Sequence, residues 1–83
     1  MFIHLGNNYI ISSQDIIAIL NLNDNVSDDA ADIIELARSE KKLVNISDDG
    51  KEKSMIICKD MIYLSPISSI TLFKRGASYS KEG

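Results

Sequence analysis

The chain has 83 residues, 45% hydrophobic and 25% charged, with a formal net charge of −3. That length supports one domain, which buries only roughly 60–65% of the surface its unfolded form exposes and is marginal as a lone monomer. The acidic balance speaks against a nucleic-acid binder that works by overall positive charge, though not against a local basic patch. A single cysteine, Cys58, excludes an intrachain disulfide.

With three Tyr, two Phe and no Trp, the core must be built mostly from Ile and Leu. The start, Met-Phe-Ile-His-Leu-Gly, lacks the basic and apolar regions of a signal peptide. No apolar stretch is long enough to span a bilayer. The expected location is cytoplasmic.

In chain order, Phe2 to Leu5 is expected to be a short strand, Gly6-Asn7-Asn8 a turn, and Tyr9 to Ser12 the hairpin partner. Ser13-Gln14-Asp15 interrupts the pattern before Ile16 to Leu20, an apolar run without alternation. Asn21 to Ser27 is polar and Asn-rich, hence a loop. Ser27 or Asp28 can then cap a helix, with Asp28, Asp29 and Asp32 at the positive end of its dipole. Apolar Ala30, Ile33, Ile34 and Ala37 share one helical face, and Lys41 and Lys42 suit the last turn. The helix is expected over 29–41.

Leu43 to Ile46 should be a strand and Ser47-Asp48-Asp49-Gly50 a turn, leading into the charged tip Lys51-Glu52-Lys53. Two apolar runs, Met55 to Cys58 and Met61 to Leu64, flank Lys59 and Asp60 and predict a tight antiparallel hairpin. Lys-Asp is not the Asn-Gly of a type I′ turn, so the turn type stays open. Because both runs are apolar at nearly every position, their sheet must be covered on both faces. Ser65-Pro66 reads as an N-cap followed by proline at the first helical position. Ile67, Ile70, Thr71 and Lys74 then mark a short second helix that Gly76 can end.

These elements make a single α+β domain over 1–76 with a flexible tail over 77–83. Its architecture is a small, mostly antiparallel sheet with one full helix and a short C-terminal helix. Two such helices cannot cover both faces of the sheet, and surplus apolar area of that kind marks a subunit contact, so a homo-oligomer is expected. The alternative is a sheet curled into a partial barrel.

The chemistry-bearing residues are sparse. His4 stands alone in the first strand, without the further ligands a metal site needs. Cys58 lacks a neighbouring base and suits a small core hydrophobe better than a nucleophile. Asn21, Asn23 and Asn25, with Asp29 and Asp32, imitate a calcium loop. However, Val26 stands where that loop needs Gly, and Asp32 where it needs Glu. Gly6 is isolated, so no phosphate-cradling loop is present. The pairs Asp28-Asp29 and Asp48-Asp49 sit in turns without a desolvated setting. No catalytic, metal or cofactor site is therefore expected.

The basic residues remain. Lys51 and Lys53 lie at a strand-to-strand tip, and Lys74-Arg75 closes the second helix. On a monomer these are a solvated turn and a helix-end dipole partner. On an oligomer, repeated copies of a weak patch act together, and lysine and arginine at protruding tips contact phosphates.

Several blocks resemble a known family. They are Phe2-Ile3-His4-Leu5-Gly6, Gln14-Asp15-Ile16-Ile17-Ala18-Ile19, Lys53-Ser54-Met55-Ile56-Ile57, Tyr63-Leu64-Ser65-Pro66-Ile67-Ser68-Ser69 and Thr71-Leu72-Phe73-Lys74-Arg75. They resemble the extracellular matrix regulatory protein B family of Gram-positive bacteria, kin of the matrix regulatory protein A family. The resemblance implies control of biofilm matrix genes. For the A-type relatives it implies sequence-selective binding of double-stranded DNA by a ring-shaped oligomer through arginines. At those arginine positions this chain has Gln14, and Lys51 and Glu52 in the charged tip. Gln cannot neutralise a phosphate, Glu would repel one, and Lys is a point charge in place of a planar fork. Lys53, Lys74 and Arg75 match the B-type pattern.

The reading carried forward is a homo-oligomeric DNA-binding transcriptional regulator, with Lys51 and Lys53 as phosphate contacts and Lys74 and Arg75 as a secondary patch. The alternative is a protein-interaction or assembly protein of the same fold that does not bind DNA. An enzyme would need a constellation that one His and one Cys do not supply.

Overall fold

The computed structural model describes residues 2–22, 26–48 and 50–82, the stretch 77–82 as backbone only. Asn23, Asn25, Asp49 and the side chain of Tyr79 lie outside the described residues.

A hairpin opens the chain, with strand β1 (Phe2–Gly6) antiparallel to β2 (Tyr9–Ser12). Asn7 and Asn8 both have positive φ, 45° and 69°, which the primed hairpin turn requires and Asn tolerates. A 3-10 turn over Ser13–Asp15 leads into β3 (Ile16–Asn21). Helix α1 (Asp28–Ser39) follows, then β4 (Leu43–Asn45), β5 (Ser54–Cys58), β6 (Ile62–Ser65) and helix α2 (Ser69–Glu82).

The second sheet has the order β3-β5-β6-β4. β3 pairs with β5 and β5 with β6 antiparallel, whereas β4 pairs with β6 in parallel. β3 and β4 therefore run the same way at opposite edges of the sheet, and α1 is the crossover that such a pair needs. The four-stranded sheet is thus mixed, while the strand pairings as a whole are mostly antiparallel, as expected. The β5–β6 hairpin forms as expected, closed by the Cys58 amide on the Met61 carbonyl at 2.9 Å. Neither Lys59 nor Asp60 is among the positive-φ residues, so their turn is not of the primed kind.

The central sheet is covered on both faces. Ile56 and Cys58 of β5 join Ile3 and Leu5 of β1, Ile46, and Leu72 of α2 in one core. Met55 of β5 and Leu64 of β6 join Leu22 and Ala30 in the other, with Ile33 and Ile34 of α1 packed against it. The strict alternation of strand side chains sends neighbours of one apolar run into two different cores. One cover is α1; the other is the first hairpin with α2. Because the first hairpin serves as a cover beside the two helices, the surplus apolar area lies away from the faces of the central sheet. Phe2, Ile10 and Ile17 are exposed on the strands, and Ile70 and Phe73 on α2.

Helix α1 follows its sequence signals. The Ser27 hydroxyl accepts from the Ala30 amide at 3.1 Å, and Ala30 and Ala37 are buried. It ends at Ser39, two residues before the expected 41, so Lys41 and Lys42 lie beyond its last turn, where Arg38 is the basic residue. Lys41 then takes the left-handed region, φ 60°, and the Lys42 amide returns to the Ala37 carbonyl at 2.8 Å.

Helix α2 departs from expectation at both ends. Ser65 closes β6, and Ser65 and Pro66 are not its cap and first residue. Ser68 takes the capping role: its hydroxyl accepts from the Thr71 amide at 3.2 Å and its carbonyl from the Leu72 amide at 3.1 Å. The helix continues through Gly76 to Glu82, 14 residues against 12 for α1, so it is not the shorter of the two. A mid-helix glycine costs about 1 kcal/mol relative to alanine and does not by itself end a helix.

Candidate nucleic-acid interface

The loop from Ile46 to Lys53 carries the two lysines at one end of the central sheet. Lys53 is pinned by its backbone on both sides: its amide donates to the Ser65 carbonyl at 2.8 Å, and its carbonyl accepts from the Leu22 amide at 2.9 Å. Its exposed side chain thus leaves from a fixed point at the start of β5. Lys51 is also exposed, its amide closing a turn on the Asp48 carbonyl at 3.0 Å. Glu52 between them is half-buried and accepts from Asn45 Nδ2 at 3.3 Å, so its carboxylate is tied back toward β4. Two ammonium groups therefore flank an acid that is already engaged.

Lys74 and Arg75 lie on exposed positions of α2. Arg75 is not a freely protruding cation: its Nη1 donates to the His4 carbonyl at 2.8 Å, which docks the guanidinium on β1. Pro66 separates the two basic regions. It lines the hollow beside Lys51 and Lys53 and also packs against Gly6, while Arg75 lines the groove on the other side with Gly6 and Ile67.

Gln14 is placed at the opposite end of the sheet. Ile16 pairs with Cys58 and Asn21 with Ser54, so the turn that holds Gln14 sits beside Lys59, far along the strands from the lysine loop. The Lys59 amide donates to the Asp15 carbonyl at 3.1 Å, so the backbone of this exposed lysine, which sequence reasoning did not single out, lies beside the Gln14 turn. Within one copy of the chain, the tip and the Gln14 turn do not form one surface.

Charge is segregated. Exposed Asp28, Asp29, Asp32 and Glu35 belong to α1 on one side of the sheet. On the other side, the described α2 side chains from Ser69 to Gly76 include Lys74 and Arg75 and no acid. Arg38, paired with Glu35 at 2.6 Å, is the one cation of α1.

The remaining chemistry-bearing residues are placed as follows. Among the described residues, no cluster of His, Cys, Asp and Glu could hold a metal ion. Cys58 is a free buried thiol; burial first, and the Asp15 charge second, push its pKa up to about 11. That holds it as the protonated thiol, the inert form. Tyr63 beside it is pushed up as well, mainly by burial. No described helix is long and apolar enough to cross a membrane.

Comparison with known proteins agrees with the sequence resemblance. The chain is 37% identical over 75 residues to extracellular matrix regulatory protein B of Bacillus subtilis (strain 168), covering 90% of this chain and 89% of that protein. Residues 2–75 match the model of the family described as extracellular matrix regulatory protein A-like, and the chain belongs to that family.

Proposed function

We propose that the chain is a cytoplasmic, DNA-binding transcriptional regulator of extracellular matrix genes that acts as a homo-oligomer without catalysis. The observation that carries this reading is the lysine tip. Lys53 projects from a strand start fixed by two backbone hydrogen bonds, Lys51 is exposed beside it, and the intervening Glu52 is drawn to Asn45. Exposed lysines on a backbone held at one end of the sheet suit phosphate contacts, which position a protein on a duplex. Lys74 and Arg75 add positive field from α2. The matrix-regulator name of the relative accords with this role.

The test is a salt titration of binding to matrix-gene promoter DNA against random DNA, with the oligomeric state followed in the same samples. Binding that weakens steeply with salt, and a shallower salt slope for Lys51→Glu with Lys53→Glu, is the expected result. Unchanged binding by that double variant would place the contact elsewhere.

One observation favours a second reading, a protein-interaction or assembly role without DNA. The acidic α1 also exposes Leu36, an apolar residue amid Asp and Glu that fits a protein partner. Absence of any DNA binding at low salt would select it.

A further inference from the structure

Between the first hairpin and α2 lies an open groove of about 600 Å³. Its walls include Phe2 and His4 of β1, the turn at Gly6 and Asn8, Ile67, and Arg75 of α2. That volume is in the range of small-molecule sites, roughly 300–1,000 Å³. Phe2 is 65% exposed and presents an aromatic face at the groove. Among the described lining residues, Arg75 is the one with a full positive charge, and none is a carboxylate. Its bond to the His4 carbonyl at 2.8 Å uses one of five N–H donors. A carbonyl carries no net charge, so the guanidinium is oriented without being neutralised.

We propose that this groove binds a small organic anion, a carboxylate or phosphate monoester on a flat apolar body. Arg75 holds the anion in its planar fork, and Phe2 and Ile67 flank the body. Charge complementarity selects the anion, and the aromatic wall selects the body. Such a ligand sits against the Asn7–Asn8 turn, and Asn7 Nδ2 donates to the Ile46 carbonyl at 2.6 Å, where the lysine loop begins. The site shares Arg75 with the basic patch of α2, and its test is made without DNA.

The experiment titrates the isotope-labelled full chain, without DNA, with phenyl phosphate, benzoate, inorganic phosphate and benzyl alcohol. Saturable shifts of the Gly6, Asn7 and Asn8 amides and of the Arg75 side chain are expected with phenyl phosphate or benzoate. The tighter of the two distinguishes phosphate from carboxylate. Inorganic phosphate should bind more weakly and benzyl alcohol should fail. Arg75→Gln should weaken binding roughly tenfold or more. Asn8→Asp puts a negative charge at the rim in a conformation that Asp tolerates, and should weaken binding while the Met55 and Ile56 amides stay in place. Equal shifts from benzyl alcohol, no saturable shift in the groove, or wild-type affinity in both variants would overturn the proposal. Shifts that follow protein concentration instead of probe concentration would make the occupant a second copy and overturn it too.

Discussion

The hydroxyl of Ser65 donates to the carbonyl of Leu5 at 2.6 Å, joining two strands that lie 60 residues apart in sequence. The same oxygen accepts from the Ile67 amide at 3.0 Å, and the opposing Ser54 hydroxyl donates to the Ile67 carbonyl at 2.7 Å. Ser54 and Ser65 face each other across the β5–β6 hairpin and are fully buried. The Ser-Pro-Ile-Ser segment thus clamps the first hairpin onto the sheet and then turns the chain into α2.

Removing one end of this clamp leaves a buried carbonyl and an amide without their shared partner. Ser65→Ala should therefore cost about 1–3 kcal/mol of stability, more than a surface serine would. Urea unfolding measures it. An unchanged midpoint would mean that water or a local shift satisfies the freed groups, and that the clamp is not a source of stability.

Gly6 is held at φ +109°, and a Cβ there would approach Pro66 Cγ to 3.2 Å. Gly6→Ala should destabilise the fold by about 1–2 kcal/mol through backbone strain, with the contact adding to it. A double-mutant cycle with Pro66→Ala separates the parts, because losing the ring relieves the contact and leaves the φ strain. Strict additivity would show that Pro66 gives way at no cost.

Much of the fold was legible in local signals, and the misses share a cause. Ser27, the Ala30-Ile33-Ile34-Ala37 stripe and the two apolar runs around Lys59-Asp60 report their own conformation within a few residues. Ser65-Pro66 offered an equally good local signal for a helix start. It lost because Ser65 is needed by Leu5, a partner that no window of sequence contains. The parallel pairing of β4 with β6 is hidden for the same reason. At the site, the exposure of Lys51 and Lys53 could be read from a polar loop. The docking of Arg75 on His4 across 71 residues could not. The apolar surplus was read correctly as a property of the chain and assigned to the wrong surface, since Phe2 and Ile10 look like any strand residues until the hairpin takes its place as a cover.

Cys58 gives the fold a pH dependence in the alkaline range. Burial, then the Asp15 charge, raises its pKa from 9.0 to about 11. The unfolded chain loses this proton first, so the contribution to stability is whole below about pH 9 and is lost as pH rises toward about 11. Allowing for solvent near the adjoining hollow, the loss should be about 1–2 kcal/mol. Tyr63, raised in the same direction, adds to the slope. Urea midpoints between pH 8 and 11 should fall less steeply for Cys58→Ala than for the wild type, and identical slopes would remove Cys58 as the cause. The same protonated thiol should react slowly with iodoacetamide at neutral pH until the protein is unfolded.

The oligomer proposed above has a specific surface to test. Ile70 and Phe73 are 63% and 58% exposed one turn apart on α2. Leu72, between them in sequence, is buried in the core, so Ile70 and Phe73 lie on the outward side of the helix. A chain of this size gains little by displaying two large apolar groups side by side to water, and association would hide them. Phe73→Asp should shift the mass by light scattering toward the 9.2 kDa of a single chain, with the far-UV spectrum unchanged. Leu72→Ala should instead lower stability by about 2–5 kcal/mol through a core cavity. A wild-type protein that stays at 9.2 kDa across micromolar concentrations would refute self-association. An oligomer indifferent to Phe73→Asp and to Ile70→Asp would move the contact to another face, with exposed Leu36 of α1 the next position to change.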